Sequence, residues 1–391
     1  MKRRIALIAW ECLHSIPVGG MAAHVTGLST ALHALGHEVH VFTRLGAGQR
    51  ARESVEGVHV HRCTFDPHCD FPTYVDRMCD SMADALEHVE AAEGRPFDVV
   101  HGHDWLAVRA LRRLKGRLGR PVVLTLHSTE YGRCGNALHE GWPARVRELE
   151  WEGTYLADRV ICVSGALRDE VRWLYQTPDE KTTVIYNGVD IHRFDADVDR
   201  GAVRRRHSIG LDDPLVLFVG RLAWQKGPDL LLEAVPPVLQ DHRAAKFVYA
   251  GEGDMRRSLE DRARSLRLDS SVRFVGQRTG RDLVGLFRAA DTVCIPSRNE
   301  PFGIVVLEAW SARRPVVVTR CGGPAEFVRN HQTGFTVEPD QEEIRRGLAE
   351  ALGDPSRADQ MGQNGRREAE VRFTWEVIAA QTDQLYDSVL P

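Results

Sequence analysis

Short runs rich in Val and Ile recur along the chain, separated by longer stretches with helical periodicity. This alternation restricts the fold to a parallel sheet flanked by helices. In the first half the runs are 5–10, 39–43, 98–101, 122–127, 160–164 and 184–186. In the second half they are 215–219, 247–250, 272–275, 292–295 and 316–319. A chain of 391 residues exceeds what one hydrophobic core organises, so the α/β pattern predicts two doubly wound domains. Turn residues at Asn187-Gly188-Val189-Asp190 and a polar segment after them place the boundary near 190. The expected division is 1–190, 191–370 and a terminal helix, 371–391, that packs back on the first domain.

The balance of 43% apolar and 27% charged residues is that of a globular protein, and a net charge of -4 gives no global field to recruit nucleic acid. Eight cysteines without a close CxxC pair argue against a zinc site and suit reduced thiols. The apolar run after Met1 is broken at Glu11, too short for a signal peptide, and no stretch approaches the roughly 20 apolar residues of a membrane span. A cytoplasmic protein is expected.

In doubly wound sheets, ligands bind beyond the carboxyl ends of the strands. After the strand ending at Val219 come Arg221 and Lys226, two cations before a helix entered through Pro228, an arrangement suited to a diphosphate. After the strand ending at Ile295, Pro301 keeps Glu300 on a loop, and Phe302 to Arg313 reads as a helix. Free N–H groups near Gly303, Ile304 and Val305 would form an anion site, with Glu308 about two turns further in. Carboxylates accept from vicinal hydroxyls, so Glu300 and Glu308 can hold a sugar ring and a ribose with phosphate between them. Gly19-Gly20, after the first strand, would let backbone approach a phosphate.

Glu300 to Glu308 resembles the EX7E motif of the family 4 glycosyltransferases, and Arg221 with Lys226 occupies that family's diphosphate positions. The likeness extends to Gly19-Gly20 and to Asn187-Gly188-Val189-Asp190, covering nearly the whole chain. It implies a GT-B fold of two Rossmann-like domains facing each other across a cleft, a sugar nucleotide donor, retention of configuration and no metal or other cofactor. By the same resemblance Glu300 contacts the donor sugar, Glu308 the ribose, and Phe302 with the following turn the donor. His127 is the active-site histidine, and catalysis rests on His127, Glu300, Arg221 and Lys226.

The acceptor is expected to be a hydroxyl compound bound by the first domain. His101-Gly102-His103-Asp104-Trp105 and the segment from His127 to Arg133 resemble the glycogen and starch synthase branch, making His103, Asp104 and Glu130 acceptor candidates. Those synthases carry a lysine two residues before the paired glycines, where this chain has Pro17. A basic amphipathic stretch, Arg109 to Arg120, suggests a lipid surface as a second acceptor class; the competing reading is a solvated helix face. Asp195-Ala196-Asp197 and Asp197-Val198-Asp199 read as DxD but sit in the linker, away from a strand end. The rival functions are a sugar-nucleotide 2-epimerase and a non-catalytic sugar-nucleotide sensor.

Overall fold

The computed structural model describes residues 2–390 and divides into two compact units. One comprises the chain up to Gly188 together with the segment from Trp375 onward; the other is Val189–Thr374.

The first unit is built on an eight-stranded sheet of β1 (Arg4–Ile8), β2 (Glu38–Arg44), β3 (Arg52–Val55), β4 (Val58–Cys63), β5 (Val99–His103), β6 (Val122–Leu126), β7 (Arg159–Cys162) and β8 (Thr182–Val184). Its order is β3-β4-β2-β1-β5-β6-β7-β8, parallel except for the β3–β4 pair. Strands β1, β5 and β6 are buried along their whole length, which is why they read as continuous apolar runs. The second unit holds β9 (Leu215–Val219), β10 (Lys246–Ala250), β11 (Val272–Phe274), β12 (Thr292–Ile295), β13 (Val316–Thr319) and β14 (Phe335–Val337). These pair in the order β11-β10-β9-β12-β13-β14, all parallel.

Every apolar run read as a strand lies on or beside one, although β8 begins at Thr182, two residues before the run that announced it. Three strands escaped the reading. β3 and β4 form a hairpin through Glu56 and Gly57, both with positive φ, the geometry of a two-residue turn that matches strand twist. Their sequences, Arg52-Glu53-Ser54-Val55 and Val58-His59-Val60-His61-Arg62-Cys63, contain too many polar residues to stand out as core strands. β14 spans three residues and leaves little pattern at all.

The chain returns to the first unit at Trp375, a few residues later than the expected 371. Helix Pro355–Arg372 stays with the second unit, anchored by Arg366, which donates to Asp195 and to the Ser311 carbonyl. Helix Trp375–Asp387 lies on helix Gly20–Ala34. The Trp375 ring fills space that only glycine leaves: a Cβ on Gly27 or Gly188 would come within 2.2 or 2.6 Å of it. Arg3 pairs with Asp383 and Asp387, and the Tyr386 hydroxyl bonds His101 Nδ1 at 2.7 Å.

Candidate active site

In the second sheet the strand order reverses between β9 and β12, so the loops leaving these two strands diverge and open a crevice. Both loops carry candidate residues. From the β9 loop, Lys226 Nζ donates to both carboxylate oxygens of Glu300, at 2.9 Å each, and Ser297 Oγ donates to Glu300 Oε2 at 2.8 Å. Glu300 is buried, yet three donor contacts replace the water it has lost. The loops are also tied by Arg298, which donates to the Trp224 carbonyl and forks onto Asp229.

Backbone fixes Glu300 as tightly as its side chain does. Its carbonyl accepts from Gly323 N–H at 2.9 Å, and Gly322 passes so close that a Cβ there would lie 2.1 Å from that carbonyl oxygen. Gly303 sits at φ 93°, a left-handed conformation that ends the loop and starts helix Ile304–Ser311. The helix expected from Phe302 therefore begins two residues later. Gly303 precedes it, and its carbonyl already accepts from Val306 N–H, which leaves Ile304 and Val305 as the first-turn donors. Phe302 is buried in an aromatic cluster with Phe327 and Phe373, under the loop.

Glu308 lies half-buried one turn into this helix. Loss of water pushes its carboxyl up to about 7, opposed by the positive charge of Arg193. Arg221 is exposed on the β9 loop. An open cavity of 680 Å³ borders the ends of β10 and β11; Glu252, Val275, Gly276 and Gln277 line it together with Arg206, Arg256 and Arg278.

The first sheet reverses between β1 and β5. Gly19 follows β1 and Gly20 opens helix Gly20–Ala34, as a phosphate loop would, but the structure gives these N–H groups an internal anion. Glu11 accepts from Gly19 N–H at 2.6 Å and from Val18 N–H, and burial raises its carboxyl above the usual range. A phosphate at the glycine loop would have to share or displace that carboxylate. Sequence reasoning passed over Glu11, although a glutamate eight residues before a glycine pair that starts a helix is the signal that was there.

Asp104 follows β5 with φ 57° and ψ 177°, a region that costs a non-glycine residue about 1–3 kcal/mol. Its Oδ1 accepts from His127 N–H at 2.7 Å, and burial pushes its carboxyl up to about 6. His127, at the end of β6, is held by burial well toward the neutral form, at about 3. His103 Nδ1 lies 3.3 Å from His127 Nε2. Glu130 is engaged by Arg133 Nε at 2.8 Å, and Arg133 reaches on to Glu150, which is fully buried and pushed up to about 7. Glu150 in turn accepts from the Glu130 N–H and the Tyr175 hydroxyl. The sequence named Asp104, His103 and Glu130, but it gave no hint of the buried Arg133–Glu150–Tyr175 support beneath them.

Two models of known families match the chain: Glycosyltransferase Family 4 over residues 18–193 and Glycosyl transferases group 1 over residues 199–368. A glycosyltransferase of Methanocaldococcus jannaschii is 37% identical over 98% of this chain and 97% of its own. The chain belongs to the group 1, family 4 glycosyltransferases. Glycogen synthase of Mycobacterium tuberculosis is 33% identical, covering 98% of this glycosyltransferase and 94% of that protein. Sucrose-phosphate synthase of Thermosynechococcus elongatus superposes with a TM-score of 0.84 at 26% identity, over 99% of each chain, so the fold is GT-B.

Two other sequence features of this glycosyltransferase find structural work. Asp195 pairs with Arg366 and Arg313, and Asp199 caps helix Arg200–Arg206 through Ala202 N–H. The basic stretch forms helix Val108–Leu118, with Leu111 and Leu114 in the core. Arg109 pairs with Asp76, Arg113 with Asp84 and Glu87, Arg112 with Glu152 and Lys115 with Asp158. That face is thus matched by acids from neighbouring segments. Among the described residues, no helix is long and apolar enough to cross a membrane.

Proposed function

We propose that this glycosyltransferase moves a hexosyl group from a UDP-, ADP- or GDP-sugar to an acceptor hydroxyl in the cytoplasm, with retention of configuration and without a metal. The observation that supports this reading best is the Lys226–Glu300 pair at the strand-order reversal of the second unit, set against Gly303 and the start of a helix. Lys226, Arg221 and the N–H groups of Ile304 and Val305 would hold the diphosphate and offset the charge that builds on it as the glycosidic bond breaks. Glu300 would accept hydroxyls of the donor sugar, and Glu308, once ionised, those of the ribose. The cavity beside Gly276 and Gln277 would take the base.

Front-face substitution suits these groups. The departing diphosphate stays beside the acceptor hydroxyl and takes its proton, so Glu300 orients the sugar and needs no covalent role. His127, kept neutral by burial, can accept or donate a hydrogen bond to a sugar hydroxyl. On the acceptor side, Asp104 has one oxygen engaged by His127 N–H, and Glu130 is shared with Arg133. These carboxylates suit a saccharide, a glucan or a small polyol.

The test is a panel of sugar nucleotides incubated with candidate acceptors, following nucleotide release and the anomeric configuration of the product by NMR. Retention is expected, and an inverted product overturns the assignment. EDTA is expected to leave or raise the rate, whereas strong inhibition would bring a metal-dependent mechanism back. Turnover of donor alone to an epimer would favour the epimerase.

A further inference from the structure

Three histidines of the first unit, His24, His103 and His127, each offer a ring nitrogen, and these nitrogens all lie within 4.8 Å of one another. His24 projects from helix Gly20–Ala34, and the other two come from the ends of β5 and β6. Their rings pack edge-on or stacked, with centroids 4.5 Å apart for His24 and His127. A neutral imidazole satisfies itself by donating from one nitrogen and accepting at the other. Here His24 Nε2 is buried with no hydrogen-bond partner among the described residues, His24 being 3% exposed, whereas His103 turns Nδ1, not its unpartnered Nε2, toward His127. An orphaned buried acceptor or donor costs about 1–3 kcal/mol. The adjacent His101 shows the contrast: both its nitrogens are satisfied, by Tyr386 and by Thr125.

We propose that His24, His103 and His127 form a three-imidazole site for one borderline divalent transition cation such as Zn2+, and that its binding takes His127 out of the transfer reaction. The second half rests on the role given to His127 above. Imidazole is the ligand such ions favour, and three of them leave a fourth position open. Nitrogens sharing a tetrahedral ion with bonds of 2.0–2.1 Å stand about 3.3 Å apart. His103 Nδ1 and His127 Nε2 already meet at 3.3 Å in a hydrogen bond that the ion would replace, so only His24 has to close in. Asn187 supports it: its Oδ1 accepts from His24 Nδ1 at 2.7 Å, which fixes the tautomer and leaves Nε2 as the ligand.

The experiment uses the full chain, stripped with EDTA and dialysed, with Co2+ as spectroscopic probe and Zn2+ as inhibitor. One equivalent of Co2+ should give the visible bands of a low-coordinate nitrogen site, and His24→Ala or His103→Ala should weaken binding by about 10–100-fold. Since the chain has 17 histidines, the control is His40→Ala with His61→Ala, which removes a different buried pair and should leave binding unchanged. Should the variants fold poorly, the wild-type thermal midpoint must still rise with stoichiometric Zn2+. Absence of one-to-one binding, or binding indifferent to His24, overturns the site. Stoichiometric Zn2+ should stop nucleotide release and EDTA restore it; binding without inhibition overturns the second half. A chain that transfers sugar but binds no cation fails this inference alone, and one that binds the cation but never transfers sugar fails the donor assignment alone.

Discussion

Lys226 and Glu300, 74 residues apart in sequence, meet as one unit: the ammonium lies 2.9 Å from both carboxylate oxygens, and Ser297 secures the acid from the other side. Neither residue can be altered without removing a partner of the other. Lys226→Ala and Glu300→Gln are each expected to lower kcat by roughly 10²–10³-fold. In a double-mutant cycle on unfolding free energy the pair should couple by about 0.5–3 kcal/mol, and strictly additive effects would show that they act separately.

With the ribose role proposed for it, Glu308 would link donor binding to pH. Its carboxyl is raised from 4.5 to about 7, so between these values the folded chain binds a proton that the unfolded chain has lost. Stability from this group therefore falls as pH rises through that window. Glu308→Gln should raise the thermal midpoint at pH 8 by the equivalent of at most about 3 kcal/mol, with the gain shrinking toward pH 5. The same ionisation should make donor affinity in the wild type weaken as pH drops through 7, measured as KM for the sugar nucleotide. A pH-independent KM that Glu308→Gln leaves unchanged would remove Glu308 from the ribose.

The buried carboxylate of Glu11 satisfies the N–H groups of Val18 and Gly19 at the entrance to helix Gly20–Ala34. Glu11→Ala should cost about 1–3 kcal/mol in urea unfolding, because two donors lose their partner near a helix N-terminus. No loss of stability would mean that water replaces the carboxylate freely.

Helix Val108–Leu118 should not bind membranes, since its cations are engaged by Asp76, Asp84, Glu87, Glu152 and Asp158. Co-sedimentation with anionic vesicles at low ionic strength should recover the chain in the supernatant. Pelleting that disappears with added salt would restore the lipid surface as a partner.

The sequence displayed the strands that are buried on both faces, because Val and Ile runs such as Val122-Val123-Leu124 have no other use in a chain of this polarity. It concealed β4, whose histidines at 59 and 61 mask its strand character, and it concealed the hairpin turn at Glu56-Gly57, which lacks the usual Asn or Asp. Candidate residues on loops after strands were legible because parallel-sheet topology puts those loops at one edge. Their partners were not. Glu150 and Asn187 act through contacts with residues many positions away, which leave no local pattern, whereas Glu11 lies only eight residues before Gly19. Helix starts were read to within two residues at Gly303, where only the left-handed φ marks the boundary.

Trp375 closes the first unit by filling the hollow over Gly27 and Gly188, and its loss to Ala should cost about 3–5 kcal/mol in thermal or urea unfolding of that unit. Its position also dictates an order of assembly. Val189–Thr374 is a continuous segment and has all of its strands in hand once residue 374 has emerged from a ribosome. The unit begun first must wait longest: His101 and Arg3 stand ready from the opening stage of synthesis, but their partners Tyr386, Asp383 and Asp387 arrive only with the last turns of helix. A nascent chain released early would thus carry a finished second unit and an unfinished first one.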